Sequence, residues 1–335
     1  GSMESIVEQR TKLKGNRFVF TSAQNNTDVH QLFLKSLESY CKINNAQLVV
    51  GQFVYNKNGF QNGVQDDSEI FYAPELREYF LTEGAELVGG LSWCGELNIL
   101  PTAKYPLTGL EQHGGKFGAI VPHAKIAMES VAVAKTERAK LLYATGAVTL
   151  RNYIQKKSGQ MAEAEHCYGA LVVELGDNHA WYCRQIQTDE TGNFYDLNVF
   201  YKSDGTTEKA QPLAVNWGDL HAEKSDQLQL EICADILDNL KPEHQFFHDC
   251  FDMTSRNHHN RKSGHFLMAQ HVAGGSVEKD LLTCSSVLTG FDRDFSQCHV
   301  VESNHDLALE SWLDCNIYDF RKDPINAITY LELQG

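Results

Sequence analysis

The chain has 335 residues, 42% hydrophobic and 22% charged, an ordinary soluble composition with the length for two domains or one large one. No apolar run reaches the roughly 18 residues that a membrane helix needs, so no span is expected. The net charge of −15 argues against a broad basic footprint on duplex nucleic acid. It leaves a nuclease open, because divalent cations invert the local charge of a carboxylate site. Nine cysteines, odd in number and without a Cys-x-x-Cys pair, point to reduced thiols in a cytoplasm and away from a zinc ribbon. Gly1-Ser2 before Met3 reads as a cleavage scar, and no signal peptide is expected.

In chain order, Arg17 to Ala23 reads as a strand. Asp28 is a plausible cap for a helix through Leu32, Phe33, Leu37 and Tyr40, and Ala46 to Val54 reads as the next strand. This β-α-β opening favours an α/β fold. The loop between has no glycine-rich phosphate cradle, and Thr21 and Asn25 read as turn and cap residues. A short helix is expected over Leu76 to Leu81, with strands over Glu86 to Trp93, Leu97 to Leu100, Ala119 to Pro122, Val131 to Ala134 and Lys140 to Ala144. Thr149 is expected to cap or enter a helix containing Tyr153 and Ile154, and Gly169 to Leu175 reads as a strand preceded by a hydrogen-bonded His166. Trp181 to Gln187 and Phe194 to Tyr201 alternate around Thr188–Gly192, a hairpin signal. The polar stretch Lys202 to Gln211 reads as a boundary between an amino-terminal α/β domain, 15–205, and a second domain, 211–335.

Beyond that boundary, polar groups follow each apolar run. Leu213 to Val215 reads as a strand, and Gly218 then turns the chain to present Asp219 and His221. A helix carries Leu228, Ile232, Ile236 and Leu240 on one face and stops at Pro242. The strand Gln245 to Phe247 delivers Asp249, with His248 before it and Asp252 after it. A helix-like segment from Ser263 and a second amphipathic run, Lys279 to Leu288, precede a strand near His299 to Val301, which delivers Asn304, His305 and Asp306. Open α/β sheets place ligands at such carboxyl ends. An aspartate and a histidine two residues apart can reach one divalent ion from the same side. Arg256, His258, His259, Arg261, Lys262 and His265 form a locally basic segment, readable equally as a solvated loop or as phosphate contacts.

The ordered triple Asp219-x-His221, Asp249-x-x-Asp252 and Asn304-His305-Asp306 resembles the calcineurin-like metallophosphoesterases. With the start Phe18-Val-Phe-Thr-Ser-Ala-Gln-Asn-Asn-Thr27, the layout resembles more narrowly the phage pre-early, or first-step, DNA-transfer nucleases. The resemblance implies an α/β/β/α sandwich core over 211–335, two divalent ions (manganese before magnesium) and hydrolysis of phosphodiesters in DNA. By the same resemblance Asp219 and His221 hold the first metal, Asp249 bridges and Asn304 reaches the second. His305 acts at the leaving oxygen, Asp306 orients it, and Asp252 and His248 support the site. Arg256, His258, His259 and Arg261 are the candidate phosphate contacts.

The chain departs from the family pattern where His248 and Ser303 replace glycines, and no histidine follows His305. Three accounts stand: the chain stops short of the carboxyl-terminal part of the core, which is the expectation favoured, other histidines substitute, or catalysis is lost. The last would make the protein a non-catalytic DNA-transfer or scaffold protein. A third function is a phosphatase or phosphodiesterase for a small substrate. DNA is the expected partner, self-association stays open, and the cytoplasm of an infected host is the expected location.

Overall fold

The computed structural model describes residues 13–57, 69–131, 140–177, 179–219, 227–248 and 276–301. The fold is α/β, and the chain divides into two compact units, Gly1–Ala210 and Gln211–Gly335. Among the described residues no helix is long and apolar enough to cross a membrane, and seven cysteines are free.

The first unit is built around β1 (Arg17–Gln24), whose residues are buried from Phe18 onward. Its apolar run is continuous because both faces are covered. Helix α1 (Gln31–Asn44) returns the chain to β2 (Gln47–Phe53), parallel to β1, and β8 (Tyr168–Leu175) and β9 (Trp181–Thr188) complete the order β2-β1-β8-β9. Alternation along β1 then sets the layers. Val19 packs with Phe33, Leu37 and Tyr40 of α1, whereas Phe18 and Phe20 face a second sheet through Leu91, Trp93, Ile120 and Tyr143. That sheet has the order β3-β4-β5-β7-β6, from β3 (Gly84–Glu86), β4 (Leu91–Cys94), β5 (Gly118–Val121), β6 (His123–Val131) and β7 (Lys140–Gly146). Gly51 lets the sheets approach, since a Cβ there would meet the Trp93 ring at 2.9 Å.

The outer face of the second sheet is covered by the irregular segment from Leu97 to His113, through Leu107 and Leu110. Basic side chains hold this cover down by donating to its carbonyls. His123 Nε2 reaches Leu100 O at 3.0 Å, Lys125 Nζ reaches Ala103 O at 2.6 Å, and Lys140 Nζ reaches Glu111 O at 2.9 Å and also His113 O.

Several sequence expectations are corrected. Helix α1 starts at Gln31, and its cap is His30, whose Nδ1 accepts from Phe33 N at 3.2 Å. Asp28 is still in extended chain, its carbonyl accepting from Leu150 N. Glu86 to Trp93 is not one strand, because Gly89 and Gly90 take positive φ of 78° and 74° and break it. No strand forms over Leu97 to Leu100, and Lys125 to Ser130 belongs to β6, while 132–134 lies outside the described residues. The expected helix around Tyr153 is irregular chain; α2 (Lys157–Glu165) follows it. Thr149 is occupied instead in accepting from Gln24 N at 3.0 Å. Thr21 donates to Gly169 O at 2.7 Å from within β1, and Asn25 accepts from Tyr55 N at 2.7 Å, so only the latter acts in a loop.

The hairpin expected across Thr188–Gly192 forms no ladder. β10 (Phe194–Asp196) pairs with β11 (Val199–Tyr201) across the two-residue turn Leu197-Asn198, and β12 (Thr207–Lys209) joins them. Leu197 takes φ 53°, the backbone such a turn demands. Asp196 fixes this small sheet to its neighbours. Its carboxylate takes a bidentate pair from Arg184 at 2.8 and 3.0 Å and a bond from Tyr40 Oη at 2.6 Å, and Arg184 also reaches Glu174 at 3.0 Å. Burial and the Asp196 carboxylate hold the Tyr40 phenol well above its ordinary range. Asp196→Ala leaves a buried hydroxyl and half of a guanidinium unmatched, an expected cost of about 3 kcal/mol. Denaturant midpoints check it, and a change within about 0.5 kcal/mol, the size of an ordinary surface substitution, would refute it.

Candidate metal centre

The second unit contains a parallel three-stranded sheet in the order β13-β14-β15, from β13 (Ala214–Asp219), β14 (His244–His248) and β15 (Gln297–Val301). Each connection contains a helix: α3 (Gln227–Leu240) between the first two strands and α4 (Val277–Gly290) between the last two. Both pack on one face, where Leu230, Cys233 and Leu237 of α3 and Cys284, Val287 and Leu288 of α4 meet Trp217, Phe247 and Phe291. The stripe of α3 in this core is offset from the expected one, and Ile232 and Ile236 are half-buried. Lys241, at φ 47°, ends α3 by donating to Leu237 O, and Ser276 caps α4 by accepting from Lys279 N.

A buried polar side chain ties the sheet to this core. Gln245 is fully buried, accepts from Trp217 Nε1 at 3.0 Å and donates to Phe291 O at 2.9 Å. Both ends of the amide are thus satisfied, as burial requires. Arg293 adds an exposed fork to Asp238 at 2.7 and 3.3 Å.

The register sets where the candidate residues leave the sheet. Asp219 pairs with His248, and His248 pairs with Val301, so these three residues lie level across the sheet. A register shift between Asn216 and Asp219 brings the end of β13 into line. β13 thus runs on to Asp219, beyond the strand expected to close at Val215. In sequence, His221 lies two residues past the end of β13, Asp249 one past β14, and Asn304, His305 and Asp306 three to five past β15. His221, Asp249, Asp252, Arg256, His258, His259, Arg261, Asn304, His305 and Asp306 lie outside the described residues, as do the side chains of Asp219 and His248. Among the described residues, no three His, Cys, Asp or Glu side chains come together as a metal site.

Two buried histidines of the first unit have other work. His166 is buried, its Nε2 donating to Thr149 O at 2.9 Å and its Nδ1 accepting from Tyr153 Oη at 2.6 Å. This is the hydrogen-bonded histidine expected before β8. His123 Nδ1 accepts from Lys125 N at 3.0 Å. Burial lowers both imidazoles to a pKa of about 4.

No family model matches the chain, and no solved structure matches it. A phage relative does. The chain is similar to Protein A1 of Escherichia phage T5. The two are 44% identical over 352 aligned positions, which take in 100% of this chain and 62% of Protein A1. The chain therefore spans less than two-thirds of the length of the relative it matches.

Proposed function

We propose that the chain is a metal-dependent phosphodiesterase that cleaves DNA, an early phage protein that degrades host DNA and assists DNA transfer. The observation that carries this reading is the register that sets Asp219, His248 and Val301 level toward the carboxyl end of the parallel sheet. Three sequence motifs with ligand-type side chains follow that one edge, where open α/β sheets bind ligands. The similarity to a phage protein supports the biological setting.

The donor chemistry fits a pair of manganese or magnesium ions. Asp219, Asp249 and Asn304 offer oxygen and His221 nitrogen, a mixed set that leans toward manganese. Bound there, such ions would neutralise phosphate charge and lower the pKa of water. The protein's own part is to hold them through these four residues, with Asp249 shared. His305 donates a proton to the leaving oxygen, and Asp306 fixes its tautomer by accepting from the other ring nitrogen. His248 and Asp252 support that arrangement, and Arg256, His258, His259 and Arg261 approach the backbone phosphates.

Linear duplex DNA incubated with manganese should be cut, with chelation stopping the reaction and Asp219→Asn slowing it by at least about tenfold, roughly 1.4 kcal/mol of barrier. A small chromogenic diester should be a poorer substrate than polymer. Cutting that survives both chelation and Asp219→Asn would overturn the proposal. The runner-up reading is a DNA-transfer protein without catalysis. Silence of the chain with manganese, while it still retards duplex DNA in a gel, would select that reading.

A further inference from the structure

Gln245 lies in the middle of β14, with Val215 of β13 opposite it on one side and Cys298 of β15 on the other. Its amide reaches both neighbouring strands. Oε1 accepts from Trp217 Nε1 at 3.0 Å, while Nε2 donates to Phe291 O at 2.9 Å and lies 3.7 Å from Cys298 Sγ. The side chain is fully buried, so losing either strong bond leaves a polar atom unmatched away from water.

The ladder of β13 is irregular beside this amide. Asn216 pairs with Phe246 and Asp219 with His248, so Trp217 and Gly218 together stand opposite Phe247 alone. This is a bulge, one extra residue in one strand, and it is rare between parallel strands. The extra residue disrupts the ladder, so contacts outside the ladder must hold it. Trp217 is one of the two bulged residues; its indole N–H is held by Gln245, and its ring packs 5.3 Å from that of Phe291. The register of Asp219 follows from the bulge. In a regular ladder Gly218 would face His248, and Asp219 would stand one residue, about 3.3 Å, further on and on the opposite face of the sheet.

We propose that Gln245 is a positioning residue for the metal site. Through Trp217 it keeps the extra residue in β13, and so holds Asp219 level with His248, the residue before Asp249. This role rests on the manganese-dependent nuclease proposed above, in which Asp219 is a ligand and neither Gln245 nor Trp217 is one.

The test is calorimetric titration of the full chain with manganese alone, without DNA, with circular dichroism to check the folding of each variant. Trp217→Phe keeps a ring in the core and loses the N–H, and Gln245→Met keeps the length and loses the amide. Each should bind manganese about tenfold more weakly than the parent, the usual effect of a residue that orients a ligand. The double variant should lose no more than either single one, because both break the same bond. Leu237→Val trims the same core away from that bond, and it should lower the denaturant midpoint while manganese affinity stays within about twofold. A parent that binds no manganese, or an Asp219→Asn variant that binds it like the parent, would overturn the nuclease reading and this role with it. Where Asp219→Asn does weaken binding, parent-like affinity in Trp217→Phe and Gln245→Met, additive losses in the double variant, or an equal loss in Leu237→Val would overturn the positioning role alone.

Discussion

Asp249→Asn is expected to abolish manganese-dependent cleavage of duplex DNA, with a rate loss of about a thousandfold or more, on the order of 4 kcal/mol of barrier. The asparagine keeps one oxygen donor and nearly the same volume, yet removes the negative charge that lets one carboxylate serve two cations. Asp249 is the next residue in sequence after β14, the central strand of the three. Asp252, assigned a supporting bond, gives the internal comparison. Asp252→Asn should cost only about 10–100-fold, the usual effect of a residue that orients a ligand. Rates on linear duplex at saturating manganese, with circular dichroism to confirm folding, decide the matter. An Asp249→Asn protein within a few-fold of the parent would remove the bridging role, and equal losses at 249 and 252 would remove the distinction between ligand and support.

What the sequence made legible follows from how locally each element is determined. The β-α-β opening was readable because a run such as Phe18 to Ala23 is apolar on both faces, and because α1 presents Phe33, Leu37 and Tyr40 at helical spacing. The parallel sheet of the second unit was readable for the same reason, from short apolar runs separated by amphipathic helices. The partner of each strand was not readable. Trp181 to Gln187 and Phe194 to Tyr201 carry a hairpin pattern, yet the turn that forms is Leu197-Asn198, where Leu197 does not announce it. The stabilising reason lies far away in sequence, in Tyr40, Glu174 and Arg184 around Asp196. Asp28 lost the cap of α1 to His30 in the same way, through the tertiary contact of its carbonyl with Leu150 N. The ion pair of Lys125 with Glu165 was invisible because the two are 40 positions apart and meet only when β6 and α2 pack. The candidate motifs stood out as residue types in order, and the structure adds that Asp219, His248 and Val301 lie level across the sheet.

Stability of the first unit should fall steeply as pH drops from about 6.5 toward 4. His123 and His166 are buried and neutral in the fold, and each uses Nε2–H to reach a backbone carbonyl while Nδ1 accepts a bond. Burial is the main cause that lowers both pKa values from 6.5 to about 4, partly offset by the bonds to Leu100 O and Thr149 O. The unfolded chain takes up protons near pH 6.5, while the folded chain resists until about 4. Within that window the unfolded state binds more protons, so stability is full above it and is lost as pH falls through it. A shift of this size corresponds to on the order of 3 kcal/mol for each histidine, with the sum reduced because the two imidazoles influence one another. Protonation of His123 would also set an Nδ1–H against the Lys125 N–H, which loses its acceptor. Denaturant midpoints of the full chain between pH 7.5 and 4 should therefore show a steep fall that flattens in His166→Gln and flattens further when His123→Asn is added. A parent curve no steeper than that of the double variant would assign the acid sensitivity to carboxylates and leave the buried imidazoles without a part in it.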